Sequence, residues 1–214
     1  MKDRKLPSFL TLLFLPALFF LVFSACIFFN NRSFRQFTGQ IFRNELTGNT
    51  LNLHYTLKHP ENYGLSDVPV TLGSAEPEIL KTSALALENY QEALRRFPRQ
   101  TLSKENRLTY DILELYFKNQ LSGQRFLLYA EPLGPTIGTQ AQLPVLLAEY
   151  AFRSRSDVET YLALLKEMDE YYTTLLHFEE AKSKEGLFMS ASSAQAVIDQ
   201  CSAFIREPAE NFLI

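Results

Sequence analysis

Twenty-six residues in succession, from Leu6 to Asn31, carry no charge. Crossing a bilayer as a helix takes about 20 apolar residues, and LTLLFLPALFFLVFSACIFF meets that need, whereas the core of an ordinary signal peptide runs to about 7 to 15. This stretch predicts one membrane-targeting helix within residues 1–31 and leaves residues 32–214 to form a separate domain. Lys2, Arg4 and Lys5 ahead of it put the N-terminus on the cytoplasmic side, although Arg32, Arg35 and Arg43 on the far side weaken the bias. The remainder of the chain is expected to be extracytoplasmic.

Phe23-Ser24-Ala25-Cys26 resembles a bacterial lipobox, in which small residues precede a cysteine that is lipidated after cleavage. Ser24 and Ala25 fit it, while Phe23 stands where leucine is usual and Ile27-Phe28-Phe29 prolongs the apolar run. An uncleaved anchor, a lipoprotein attached through Cys26 and a simple cleaved signal all remain open. Each delivers the chain to the bacterial cell membrane, with residues 6–29 as the membrane-contacting segment. With Cys26 embedded or lipidated, only Cys201 is left, so no internal disulfide can staple the fold.

Without residues 1–26 the chain carries 18 basic and 23 acidic residues, and it has no Trp. A mildly acidic domain with no basic stripe has no electrostatic reason to bind nucleic acid. A partner is expected to be a protein, a peptide or a small molecule.

From Ser33 onward the apolar period is helical. Phe34, Phe37, Ile41 and Phe42 share one face, with Ser33 as N-cap and Thr47-Gly48 as stop. Leu51, Leu53, Tyr55 and Leu57 alternate like a strand, yet the shortness of the segment and the Pro60 stop favour a helix. Leu80, Ala84, Leu87, Tyr90, Leu94 and Phe97 recur at spacings of 3 and 4 up to Pro98. Ser103 caps a helix whose Leu108, Tyr110, Ile112, Leu113, Leu115, Tyr116 and Phe117 are apolar almost all round, which predicts burial. Pro132, Gly134, Pro135, Gly138 and Pro144 bar any long element from the middle of the chain.

The strongest helix spans Asp157 to Lys184, striped by Val158, Tyr161, Leu162, Leu165, Met168, Tyr172, Leu175 and Leu176. A last helix begins near Ser193 and turns Val197, Ile198, Cys201, Phe204 and Ile205 inward. The expected class is all-α, a multi-helix domain. Because Asn211-Phe212-Leu213-Ile214 opens an apolar run with nothing to cover it, the domain is expected to be a truncated portion of a larger fold.

No residue set declares a chemistry. His54 and His59 are five apart and do not share a helical face, and His177 with Glu180 lacks further ligands, so neither predicts a metal site. Asp111 and Glu114 on the expected buried helix would have raised pKa values if unpaired, but Arg107 or Lys118 one turn away supplies a structural partner. The loop from Glu131 to Pro144 lacks the Gly-Lys-Ser/Thr ending of a phosphate loop. Its Gly134, Gly138, Gln140 and Gln142 are the candidate substrate contacts, since amide side chains suit peptide backbones.

Four blocks in order, FTGQIFRNELTGNTLNLHYTLKHPENYGL, SKENRLTYDIL, LLYAEPLGPTIGTQAQLPVLLAEYAF and HFEEAKSKEGLFM followed by VIDQCSAF, make the chain similar to the N-terminal half of the bacterial family labelled domain of unknown function 885. That family resembles helical zinc metallopeptidases. The resemblance implies a downstream H-E-x-x-x-H segment, two histidines holding zinc and a glutamate acting as general base. Here His54 is followed by Tyr55, His59 by Pro60 and His177 by Phe178. No catalytic residue and no metal ligand is therefore assigned, and zinc is expected only in a full-length relative.

The expectation is an N-terminal scaffold portion of a membrane-attached extracytoplasmic zinc metallopeptidase-like protein, inactive alone. Its partners would be a peptide substrate or the missing C-terminal half. The competing expectation is a non-catalytic, membrane-anchored binding or scaffold lipoprotein.

Overall fold

The computed structural model describes residues 8–208. Seven α-helices follow in order, α1 (Ser8–Thr47), α2 (Thr50–Thr56), α3 (Pro77–Arg95), α4 (Lys104–Gly123), α5 (Thr139–Ala148), α6 (Arg155–Lys184) and α7 (Ala191–Arg206), and no strand occurs among the described residues. The chain divides into two compact units, residues 1–42 with 87–120 and residues 43–86 with 121–214. The all-α class follows from the 3.6-residue period that runs through nearly every segment.

The expected membrane-targeting segment lies mostly outside the described side chains. Among the described residues no helix is long and apolar enough to cross a membrane. Ser33 does not begin a helix, because α1 runs unbroken past it. A cap acts only where the preceding residues leave helical geometry, and no Gly or Pro stands between Pro16 and Ser33 to force them out.

In the first unit α1, α3 and α4 meet around Phe34, Ile41, Leu94, Leu102, Tyr110 and Phe117. Phe34 packs edge-on to Phe97 at 5.3 Å and stacks on Tyr110 at 6.4 Å between ring centroids. Phe42, expected on this face, is 40% exposed. The larger correction concerns α4, whose Leu108, Ile112 and Leu115 are 62%, 58% and 58% exposed. One stripe, Asn106, Tyr110 and Phe117, is buried, because a helix against two neighbours on one side can hide only one face.

That stripe is closed by a polar junction. Asn31 accepts from the Ser103 amide (2.7 Å) and from Asn106 Nδ2 (2.8 Å), and its own amide donates to Ile27 O (2.8 Å) and Thr101 O (3.0 Å). Asn31 and Asn106 are both buried. Ser103 caps α4 as expected, accepting from the Asn106 amide at 3.2 Å.

The second unit has two cores, and α2 explains the alternation in its sequence. Leu51 joins Leu72, Leu143, Leu147, Tyr150 and Leu164, while Leu53 joins Leu46 and Leu65. Residues two apart point roughly 200° apart on a helix, so a short helix wedged between two clusters reads like a strand. Asn49 caps it, accepting from the Asn52 amide at 3.0 Å while donating to Leu72 O at 2.7 Å.

α6 opens with a capping box. The Asp157 carboxylate accepts from the Arg153 amide (2.8 Å) and the Ser154 amide (2.7 Å). Burial works to raise its pKa, but these bonds outweigh it and hold the carboxyl below its ordinary value. At the other end Gly186, at φ 71°, lets the Leu187 amide reach Lys182 O at 2.9 Å.

The α6 stripe is displaced from the expected one. Leu164, Leu175 and Phe178 are buried, while Val158, Leu162, Leu165 and Leu176 are 41% to 57% exposed. On α7 only Val197 is buried; Ile198, Cys201, Phe204 and Ile205, expected inward, are exposed.

Two predictions follow from this packing. Asn31→Ala strands the Ser103 amide and removes the side-chain partner of Asn106 Nδ2, and should lower the unfolding free energy of the chain by about 2 to 4 kcal/mol, against no more than about 0.5 for Ile112→Ala. His54 is stacked on Tyr150 at 3.7 Å between centroids and accepts from the Ala151 amide at 3.3 Å. Burial first, and Arg153 second, lower its pKa below 6.5. The fold therefore holds it neutral, and its contribution, complete above 6.5, is lost as pH falls through the lowered value. His54→Phe should flatten the slope of unfolding free energy between about pH 7 and pH 5.

Candidate functional site

The proline-rich segment folds into a closed turn. Thr139 N donates to Pro132 O (2.8 Å) and Gly138 N to Gly134 O (3.2 Å). Gln140 Nε2 donates to Gly134 O (2.7 Å) and to Gln200 Oε1 (2.8 Å), and Gln200 Nε2 in turn donates to Pro135 O at 2.6 Å. A Cβ on Gly138 would stand 2.3 Å from Gly134 N, which makes glycine obligatory by close approach. The structure thus places Gly134, Gly138 and Gln140 in a bracket that holds the turn against α7.

The turn delivers the start of α5, a ten-residue helix whose Pro144 costs it one internal bond. Here Gln142, exposed, faces a hollow of about 500 Å³ together with Asn49, Asn52, Tyr55, Thr139 and Tyr171. Tyr55 donates to Leu146 O at 2.5 Å, and burial, then Glu149, raise its pKa above 10. Leu51, Leu72, Leu143 and Leu146 complete the lining. Leu72 and Tyr171 also line a second hollow of about 700 Å³, with Ser74, Glu76, Glu167, Glu170 and Thr174. Both volumes fall in the range of about 300 to 1,000 Å³ typical of ligand sites.

Of the four expected contacts only Gln142 lines the hollow. Asn52, Tyr55 and Tyr171 were not anticipated. Tyr171 carried a faint signal, since in the pair Tyr171-Tyr172 the rings leave a helix about 100° apart and a single stripe cannot take both. Cys26 is exposed on α1.

The histidines are scattered. His54 is stacked in the core, His59 Nδ1 lies 3.0 Å from Glu61, and His177 pairs with Glu76 from a distant segment, not with Glu180. Among the described residues no group of three or more His, Cys, Asp or Glu side chains is placed to hold a metal ion. Asp111 is paired, though with neither expected partner: Arg99 grips it through Nε and Nη2, both at 2.6 Å. That hydrogen-bonded pairing holds the carboxyl below its usual value, the reverse of what an acid catalyst needs.

A family model described as bacterial protein of unknown function (DUF885) matches residues 62–213. The chain belongs to this family. The match takes in the closed turn, α5, α6 and α7. No curated protein and no solved structure matches the chain.

Chemically, the hollow offers amide donors and acceptors at Asn52 and Gln142, phenols at Tyr55 and Tyr171, and leucine between them. Gly138→Ala, forcing Gly134 aside, should destabilise the second unit by about 2 kcal/mol or more and raise amide hydrogen exchange across residues 132–142.

Proposed function

We propose that this chain supplies the peptide-binding helical wall, without a hydrolytic centre, of a membrane-attached extracytoplasmic metallopeptidase-like protein of the DUF885 family. The observation that carries this reading is the amide and phenol lining around Gln142. A peptide backbone presents an N–H and a C=O at every residue, and primary amides answer both at once. Asn52 and Gln142 come from two helices, so a strand of substrate laid between them meets a partner on either side.

The zinc implied by the family resemblance does not fit the residues of this chain. Each histidine is committed elsewhere, to Tyr150, to Glu61 or to Glu76. No hydrolytic step is assigned to it. Its role is to hold and orient the polypeptide, and the uncharged run from Leu6 supports delivery to the outer face of the bacterial membrane.

The full-length chain in phospholipid vesicles tests this. A dye-labelled unstructured hexapeptide should bind saturably and remain uncut with zinc present. Gln142→Ala should weaken binding about fivefold to tenfold, the worth of one hydrogen bond of roughly 1 kcal/mol or a little more. The chain should also stay in the membrane pellet after an alkaline carbonate wash. Cleavage by the chain alone, or binding indifferent to Gln142, defeats the proposal.

A further inference from the structure

α2 stands between two cavities of the second unit. Asn52 and Tyr55 border the hollow at Gln142, while Leu53, His54 and Leu57 border a smaller cavity of about 140 Å³. Around the smaller one the charged side chains are Lys58, Arg153 and Asp157. Asp157 is spent within the fold, on the amides of Arg153 and Ser154. Among the described residues neither the Lys58 ammonium nor the Arg153 guanidinium has an ion pair or a side-chain hydrogen bond.

His54 adds a buried donor to these two cations. The residue is 8% exposed. Its Nε2 accepts from the Ala151 amide at 3.3 Å, so in the neutral ring the proton sits on Nδ1. The stack on Tyr150 uses the face of the ring and leaves that N–H unanswered. Among the described side chains only Gln140 Oε1 and the two Glu179 oxygens are both sealed from solvent and unpartnered. Nδ1 is therefore not sealed, and the cavity that His54 lines is where an acceptor can reach it. A buried N–H without an acceptor is costly, which makes an incoming one favourable.

The charge of that acceptor follows from its surroundings. Two uncommitted cations face one carboxylate already engaged, and the 30-residue α6 begins at the cavity, with Ser156 of its first turn in the lining. The positive end of the helix favours an anion there. The size follows from the volume, since a cavity of roughly 150 Å³ takes a molecule about as large as benzene. The shape follows from the rest of the wall, which is Leu53, Leu57, Leu65, Val68 and Val70. A phosphate carries oxygen on every side and would turn some of it toward leucine and valine. A carboxylate ends in two oxygens on one side and in carbon on the other.

We propose that this cavity binds a small free monocarboxylate with a short apolar tail, its oxygens shared among His54 Nδ1, Arg153 and Lys58. The site is separate from the hollow at Gln142 and does not depend on it.

The full-length chain, carrying isotope-labelled histidines, is titrated with isobutyrate and with isobutyramide, a neutral molecule of nearly the same shape. Isobutyrate should bind with a Kd of about 1 mM or below and shift the ring-nitrogen resonances of His54. Isobutyramide should bind at least about tenfold more weakly, as charge-assisted bonds demand. Arg153→Gln and Lys58→Gln should each weaken isobutyrate about threefold to tenfold. Arg155→Gln removes the same charge from a residue that pairs with Glu159 outside the lining, and should change nothing. The comparison of acid and amide needs no variant, so a misfolded variant leaves it intact. Equal affinity for the two molecules overturns the proposal, as does a His54 signal that stays still. Inorganic phosphate competing as well as isobutyrate also overturns it, leaving a loose attraction of anions to surface cations. So does acetyl-Ala-Val binding more tightly than isobutyrate, which gives the cavity to the carboxyl terminus of a peptide.

Discussion

The fully buried ammonium of Lys182 is the interaction on which the second unit turns. It reaches from the last turn of α6 to the Ala130 carbonyl and to Glu131, the two residues ahead of Pro132. That bond decides where the chain enters the closed turn, and the turn decides where α5 begins. Gln142 owes its place at the hollow to this sequence of constraints. The same commitment leaves Lys182 too far from Glu179 to neutralise it fully, and burial accordingly raises the Glu179 pKa even though Lys182 pulls it down. Buried pairs of this kind contribute little net stability, yet losing one partner costs roughly 3 to 5 kcal/mol. Such an arrangement is better at fixing geometry than at strengthening the fold.

Much of the fold was legible in the sequence because helices announce themselves by period, and the helices expected at α2, α3, α4, α6 and α7 are present, whereas α5 forms in a stretch read as irregular because Pro144 sits inside it. Faces were harder to read. On α4 and α7 apolar residues occur on several sides, and period alone does not say which stripe meets a neighbour; Ile112 and Ile198 lost that competition to Tyr110 and Val197. The polar interior was invisible for a different reason. Asn31, Asn106, Glu179 and Lys182 are buried only because specific partners answer or nearly answer them, and residue type by itself assigns all four to the surface.

The candidate site was half visible. Its Gly and Pro content marked residues 131–144 as an irregular segment, but most of those residues serve the segment's own closure. Gly138 is needed because Gly134 lies against it, and Gln140 is needed to tie Gly134 to Gln200. Gln142, the residue that faces outward, differs from Gln140 by two positions, which on a helix is enough to turn it to the opposite side. Its companions Asn52, Tyr55 and Tyr171 lie tens of residues away in sequence, and nothing local brings them together.

A single helix borders both hollows. Tyr171 lines the polar one at Gln142 and its neighbour Tyr172 an apolar one between α6 and α7, their rings 6.1 Å apart and tilted by 65°. α6 is suited to this by being held at both ends, by the Ser154 and Asp157 capping box and by the Gly186 turn. Thirty residues in one rigid element keep the two faces at a constant angle. A polypeptide ligand has two kinds of surface to offer, a backbone that wants amides and side chains that want leucine and phenylalanine. Held along one helix, the two faces set amides and phenols on one side against leucine and phenylalanine on the other at a fixed spacing.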